Sequence, residues 1–215
     1  MAKIMKNWSG EKEGSFIKKI EEKIHRTPSL QEKISDVIWK LKLQHEQLEH
    51  AILKMQRHDK ELFEKCVEAQ VAEDTAKATI YANECAEIRK MAKIILLSQL
   101  AIEKVMLRLE TIQEFGNVFT ELAPVSGVVK ALKGKLAGVL PQVSYELDSI
   151  GELLNGMMVE SGRVTNIDLP VETEGEESKK ILGEASLIAE QKLKEKFPEM
   201  SSPEKTVQSI HEKTY

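Results

Sequence analysis

Glu22-Lys23-Ile24-His25 is the one Glu-x-x-His pair in the sequence, and on a helix that spacing puts a carboxylate and an imidazole on one face, where they can share a metal ion. A carboxylate-bridged di-iron centre needs a second such pair and two further glutamates. The second pair is absent. His45, His50 and His58 fall in one helical stretch without the i, i+4 spacing that brings two imidazoles together, and His211 stands apart near the C-terminus. Lys133-Gly134-Lys135 and Gly138 belong to a basic helical segment and lack the strand context of a phosphate-cradling loop. No Ser, His and Asp set reads as a triad in an all-helical chain. Cys66 and Cys85 lie 19 positions apart on what reads as one helix, roughly 28 Å at 1.5 Å per residue, so they are expected to be small packing residues that cannot reach each other. The chemistry-bearing residues therefore argue against an enzyme, and no metal or cofactor is expected.

What these residues sit on is more informative. From Ser29 to Phe115 there is neither glycine nor proline, and apolar residues recur at threes and fours, which predicts helices far longer than the usual three turns. Ile34, Leu41, Leu48 and Met55 repeat every seven residues, with Leu30, Val37, Ile38, Ala51 and Ile52 filling the same face, a coiled-coil-like seam. The pattern weakens at Gln56-Arg57-His58-Asp59, and Asp59 reads as the N-cap of a second helix. A turn there predicts an antiparallel hairpin with arms of about 43 Å and about 84 Å. Ile94 to Leu109 is strongly apolar but holds Glu103, Lys104 and Arg108, so it reads as a helix buried on most sides and not as a membrane span.

Beyond the hairpin, Ala123-Pro124-Val125-Ser126-Gly127 is expected to break or kink the chain, with a short helix following and ending before Pro141. Val143, Leu147, Ile150, Leu154 and Met157 share one face of a fourth helix over Gln142 to Val159. Residues 161–177 are acidic and contain Pro170 and Gly175, the composition of a flexible linker. The last helix carries an apolar stripe of Ile181, Leu182, Ala185, Ile188, Ala189, Leu193 and Phe197. The expected organisation is an N-terminal membrane-anchor segment over 1–14, a helical core over 15–160, the linker over 161–177, a C-terminal regulatory helix over 178–198, and a disordered tail over 199–215. The fold class is all-α: a long antiparallel two-helix hairpin, shorter third and fourth helices, and a tethered C-terminal amphipathic helix.

Charge is uneven. Up to Lys42 there are ten Lys and Arg against six Asp and Glu, and from Glu160 onward twelve acids against eight bases. A basic front suits an anionic partner and an acidic tail suits self-association. Met1, Ile4, Met5 and Trp8 fall at i, i+3, i+4 and i+7 with Lys3 and Lys6 off that stripe, the pattern of an interfacial anchor. Lys18, Lys19, Lys23 and Arg26 extend its positive charge. The small residues Ala69, Ala72, Ala76, Ala82 and Ala86 suit tight lateral packing between hairpins in a polymer. The C-terminal helix is expected to fold back on its own hairpin or dock on a neighbour's, the acidic linker masking Lys130, Lys133 and Lys135 when closed. The first residues, MAKIMKNW, lack the apolar run of a secretory signal.

This order of elements, basic in front and acidic behind, resembles the ESCRT-III family from about Lys18 to Phe197. The stretch LPQVSYELDSIGELLNGMMVESG, Leu140 to Gly162, resembles the fourth helix of the archaeal cell-division (Cdv) branch, and ELAPVSGVVKAL, Glu121 to Leu132, is similar to the region before it. The resemblance implies a homopolymer that forms membrane-bound filaments, co-assembles with other ESCRT-III-like subunits on an anionic membrane, and constricts and severs membrane necks in cell division and vesicle budding. It implies subunit removal by an AAA+ ATPase carrying a MIT domain. Only a fragment of the family's MIT-interacting motif stands in the linker, Ile167-Asp168-Leu169-Pro170-Val171 with Leu169 and Pro170 at its centre, which argues against direct ATPase binding. The chain also ends without the extra C-terminal segment by which one archaeal member engages a separate scaffold, which implies entry into a ring through other subunits. The implied location is cytoplasmic, peripheral on the inner face of the cell membrane at the division site, with no nucleic-acid partner. The alternative from a different class is a soluble helical adaptor that dimerises through the Ile34 to Met55 seam without touching lipid.

Overall fold

The computed structural model describes residues 28–115, 118–165 and 171–197, all of them helical apart from caps and turns. Helix α1 (Leu30–Val71) begins at a capping box. The Glu32 N–H donates to Ser29 Oγ at 3.3 Å and the Ser29 N–H donates to the Glu32 carboxylate at 2.6 Å, so two of the orphan donors of the first turn are satisfied. Along α1 the heptad residues Ile34, Leu41 and Leu48 are buried and Met55 is half-buried, as the seam requires.

Helix α1 does not stop at Asp59. It continues for 42 residues to Val71, and α2 (Thr75–Phe115) returns for 41, so the arms are equal at about 62 Å each and neither overshoots. Asp59 is buried inside α1, and its two carboxylate oxygens each accept from Arg89 of α2 at 2.9 Å. What looks like a polar gap is therefore a cross-arm ion pair. The true turn is Ala72-Glu73-Asp74. Glu73 takes the left-handed backbone itself, with φ 59, at a cost of about 1–2 kcal/mol that glycine would avoid. The Asp74 N–H bonds back to the Ala69 carbonyl at 2.8 Å, and the Asp74 carboxylate caps α2 by accepting from the Lys77 N–H at 3.1 Å.

The relocated turn also separates the two cysteines, which lie on opposite arms and not on one helix. Each is a free, buried thiol bonded weakly to a backbone carbonyl of the other arm: Cys66 to Ala78 at 3.3 Å and Cys85 to Asp59 at 3.7 Å. Burial pushes the Cys85 thiol above its ordinary pKa.

Helix α3 (Val118–Leu136) runs straight through the expected break, with Pro124 inside it. Losing one helical N–H is offset by burial, since Leu122, Ala123, Val125, Val128, Val129, Leu132 and Leu136 all face the core. Pro141 opens α4 (Pro141–Thr165) at the first helical position, where a proline costs nothing. Ser144 Oγ of α4 donates to the Lys133 carbonyl at 2.9 Å, tying the two helices into a second, shorter hairpin. It packs on the open end of the first, α3 against α2 and α4 against α1. Helix α5 (Val171–Lys196) lies on α2 and α3. With α4 reaching Thr165 and α5 starting at Val171, the interval between them is shorter than the linker expected over 161–177.

Replacing Asp59 by Ala would strand the Arg89 guanidinium in a mostly buried site and should cost about 3 kcal/mol in urea unfolding. The double variant Asp59→Leu/Arg89→Leu should recover most of that loss. A cost below about 1 kcal/mol for Asp59→Ala would show that the pair contributes nothing beyond its packing.

Candidate functional site

Helix α5 offers an apolar face of small residues. Ala185 and Ala189 are fully covered, flanked by Ile181 and, at the far end, Phe197, while Leu182 and Leu193 are half-buried. Ile188, placed in the stripe by sequence, is 40% exposed, and Leu187 is 71% exposed. The contact is centred on the two alanines because only they let the α5 backbone come close to α2 and α3, which leaves Ile188 on the rim. At the N-terminal end Ser178 Oγ donates to the Pro124 carbonyl at 2.9 Å, and at the C-terminal end Gln56 Nε2 donates to the Lys196 carbonyl at 3.3 Å.

Three bases on α2 meet three acids on α5 in antiparallel order. Lys93 pairs with Glu190 at 2.7 Å, Lys104 pairs with Glu184, and Arg108 pairs with Glu177 at 2.6 Å. Arg108 also reaches Glu121 of α3 at 2.9 Å, so one guanidinium joins α2, α3 and α5. Burial works against its charge, and the two carboxylates outweigh that, holding Arg108 above the ordinary arginine pKa. Hydrogen bonds from Lys104 and Lys93 hold Glu184 and Glu190 below the usual carboxylate value of 4.5. The acidic linker over 161–177 was expected to mask Lys130, Lys133 and Lys135, and most of its acids have no described side chain. Among the described residues Lys133 pairs with Asp148 of α4 at 2.6 Å, and Lys130 and Lys135 are exposed. The sequence displays the bases on α2, but only the fold shows that α5 crosses them.

The alanine stripe divides between two sides. Ala69 faces inward in a small cluster with Cys66 and Ala78 near the hairpin tip, and Ala82 is half-buried against it. Ala72, in the turn, and Ala76 and Ala86 on α2 are exposed. The residues assigned to membrane contact, Lys3, Ile4, Met5, Lys6, Trp8, Lys18, Lys19, Lys23 and Arg26, lie outside the described residues, as do Leu169 and Pro170. Among the described residues no group of three His, Cys, Asp or Glu could hold a metal ion, and no helix is long and apolar enough to cross a membrane.

Compared with known proteins, the chain is 47% identical over 147 residues to Cell division protein B1 of Sulfolobus acidocaldarius, covering 68% of this chain and 69% of that protein. It is 40% identical over 178 residues to Cell division protein B of the same organism, covering 83% of this chain and 68% of that one. The chain belongs to the archaeal cell division protein B family. This is the Cdv branch of ESCRT-III-like proteins, and the family resemblance read from Leu140 to Gly162 is thereby borne out. A third member, Cell division protein B3, is 30% identical over 117 residues, covering 54% of this chain and 68% of that protein. No family model matches the sequence, and no solved structure matches it.

In this cell division protein B relative, the α5 contact combines a short apolar face with a row of ion pairs at the surface. Its apolar face is Ile181, Ala185, Ala189 and Phe197, and the Lys93–Glu190 and Lys104–Glu184 pairs are partly solvent-exposed and screened by salt. Because Glu184 and Glu190 have depressed pKa values with α5 docked, their contribution is complete above pH 4.5 and fades as pH falls below it. Hence Glu184→Lys/Glu190→Lys at neutral pH should release α5, read as a longer and broader distance between spin labels on α2 and α5, and wild type should begin to do the same below pH 4.5. An unchanged label distance in the double variant would mean that Ala185, Ala189 and Phe197 hold the helix alone.

Proposed function

We propose that this chain polymerises into membrane-bound filaments that remodel, constrict and sever membrane necks in archaeal cell division and vesicle budding, without enzymatic activity of its own. The observation that carries this reading is the hairpin of two equal arms of about 62 Å, with a helix docked along α2 through Ile181, Ala185, Ala189 and Phe197 and a row of ion pairs. A rigid rod suits lateral stacking, and a weakly held helix suits a switch between a monomer and a polymer subunit. The names of the three Sulfolobus relatives support a role in division, and their number within one organism supports co-assembly with related subunits.

In this reading α5 is autoinhibitory when folded back and becomes a contact with a neighbouring subunit when released, using Ile181, Leu182, Ala185, Ile188, Leu193 and Phe197. The exposed Ala76 and Ala86 are where parallel hairpins nest. The N-terminal stripe of Ile4, Met5 and Trp8 with Lys3 and Lys6 attaches the filament to an anionic membrane, helped by Lys18, Lys19, Lys23 and Arg26. Each buried apolar side chain supplies roughly 1.5–3 kcal/mol before ordering costs, and each nearby lysine about 1 kcal/mol. One copy therefore binds weakly, and a filament binds firmly through avidity. The site of action is the inner face of the cell membrane, and an AAA+ ATPase with a MIT domain recycles the subunits, acting through a partner subunit and not through Leu169 and Pro170.

Purified protein should form tubes or spirals on anionic vesicles in negative stain, and Trp8→Glu should sharply reduce co-sedimentation at physiological salt. A discrete soluble oligomer that ignores lipid would favour the adaptor reading. Because Ala76 is exposed, Ala76→Trp should abolish filaments while leaving helicity by circular dichroism intact. Unchanged filament assembly in Ala76→Trp would remove this face from the polymer contact.

A further inference from the structure

The seven-residue seam of α1 is spent inside the chain, with Ile34, Leu41 and Leu48 buried against α2. The opposite face of the helix is not. Trp39, Leu43, Glu46, His50, Leu53 and Arg57 recur there at threes and fours, and all six are exposed. Single exposed apolar residues need no explanation. Trp39, Leu43 and Leu53, exposed by 58%, 37% and 47%, instead share one stripe over 14 positions, about 21 Å of helix. Helix α4 meets α1 to one side of this stripe, where Leu153 and Met157 lie across from Lys33 and Asp36, and α5 lies on α2 and α3. The stripe is therefore an open surface.

Its charges fit their own reverse. Glu32 and Asp36 stand toward the N-terminal end and Lys54 and Arg57 toward the other, followed by Lys60 and Glu61, which offset each other. We propose that the stripe binds a second copy of this chain about a two-fold axis, each α1 lying antiparallel on the partner's α1. Centring the axis between Glu46 and Gln47 carries Asp36 to the partner's Arg57, Trp39 to the partner's Leu53 and the partner's Lys54, and Leu43 to the partner's His50. Each contact is made twice, as an isologous interface requires. Opposite charges then meet at both ends, and a lysine lies over the indole, where the ring quadrupole attracts it. A parallel pairing sets Asp36 against Asp36 and Arg57 against Arg57. An anionic membrane is disfavoured too, since Glu32, Asp36 and Glu46 stand along the same face as Trp39. Shape agrees with the antiparallel order. Helix α5 ends near Gln56, so the slender two-helix end of each copy lies along the five-helix end of the other. From Asp36 to Arg57 the overlap is about 32 Å, and a strip about 10 Å wide covers roughly 300 Å² of each copy, below the roughly 800 Å² per partner of a standard stable interface. The dimer is therefore weak and forms as concentration rises.

This contact needs no lipid and does not use the exposed Ala76 and Ala86 of α2, so it stands or falls apart from the filament reading. Full-length protein without lipid, followed by sedimentation velocity at rising concentration, should show reversible monomer–dimer exchange. Trp39→Glu/Leu53→Glu should weaken the dimer about tenfold or more, the usual effect of losing an aromatic anchor. Helicity by circular dichroism should not change, because both side chains are exposed. Asp36→Arg and Arg57→Asp should each weaken the dimer, and Asp36→Arg/Arg57→Asp should restore it, because the exchanged charges meet again in the antiparallel order. Glu46→Gln, which removes the like charges closest to the axis, should tighten it. Ala76→Trp should dimerise like wild type even where it abolishes filaments. A wild type that stays monomeric at every concentration would overturn the proposal, as would a dimer indifferent to Trp39→Glu/Leu53→Glu. No recovery in the charge-exchanged variant would overturn the antiparallel order. Vesicle binding lost in Trp39→Glu/Leu53→Glu, with no dimer in solution, would overturn it in favour of a membrane contact.

Discussion

The burial of α2 between Ile94 and Leu109 is the constraint on which the other helices depend. Ile95, Leu96, Leu97, Ser98, Leu100, Ala101 and Ile102 are all buried, a run too dense for any two-helix contact to cover. A helix that is apolar around most of its circumference needs partners on several sides. Here α1 covers one side, α3 another and α5 a third. Remove any of them and large aliphatic surface meets water, at about 25 cal/mol per Å². The partners are not equivalent. Helices α1 and α3 cover α2 with rows of branched aliphatic side chains, whereas α5 covers the core with Ile181, Ala185, Ala189 and Phe197 and a rim of ion pairs, so its apolar contact is the sparsest of the three.

Much of this was legible in the sequence. The seven-residue seam, the dense burial of Ile94 to Leu109 and the helix following Leu140 all rest on local periodicity and end signals, which act over a few residues. The hairpin turn was not legible, and the reason is physical. Its left-handed position is filled by Glu73, which gives no glycine signal, and the four polar residues at 56–59 imitate a helix end. Asp59 and Asp74 are both plausible caps; which one caps and which one pairs with Arg89 depends on a contact thirty residues away in the chain. Pro124 misleads for a similar reason, since tertiary burial overrides its local preference.

The interaction surfaces were less visible than the fold. An amphipathic C-terminal helix could be read directly, but the bases it would meet could not. Lys93, Lys104 and Arg108 look like solvated residues interrupting an apolar run, and they become a docking ladder only when α5 lies across them. Ile188 shows the limit of a stripe drawn at even spacing. Small residues set where two helices touch, so the contact rotated toward Ala185 and Ala189.

Equal arms place the hairpin's open end, and everything packed on it, at one pole. Helix α5 reaches only as far as Gln56, so from there to the turn the section thins to two helices, held inside by Leu62, Cys85 and Ile88 at the end of the main core, by the Asp59–Arg89 pair and by the separate cluster of Cys66, Ala69 and Ala78. In mechanical terms the protein is a beam clamped at its thick end. Flexure under load would concentrate in the slender outer third, where only two helices share it, and less in the thicker five-helix base. If such beams stack as proposed, their tips can follow a changing curvature while their bases keep a constant spacing.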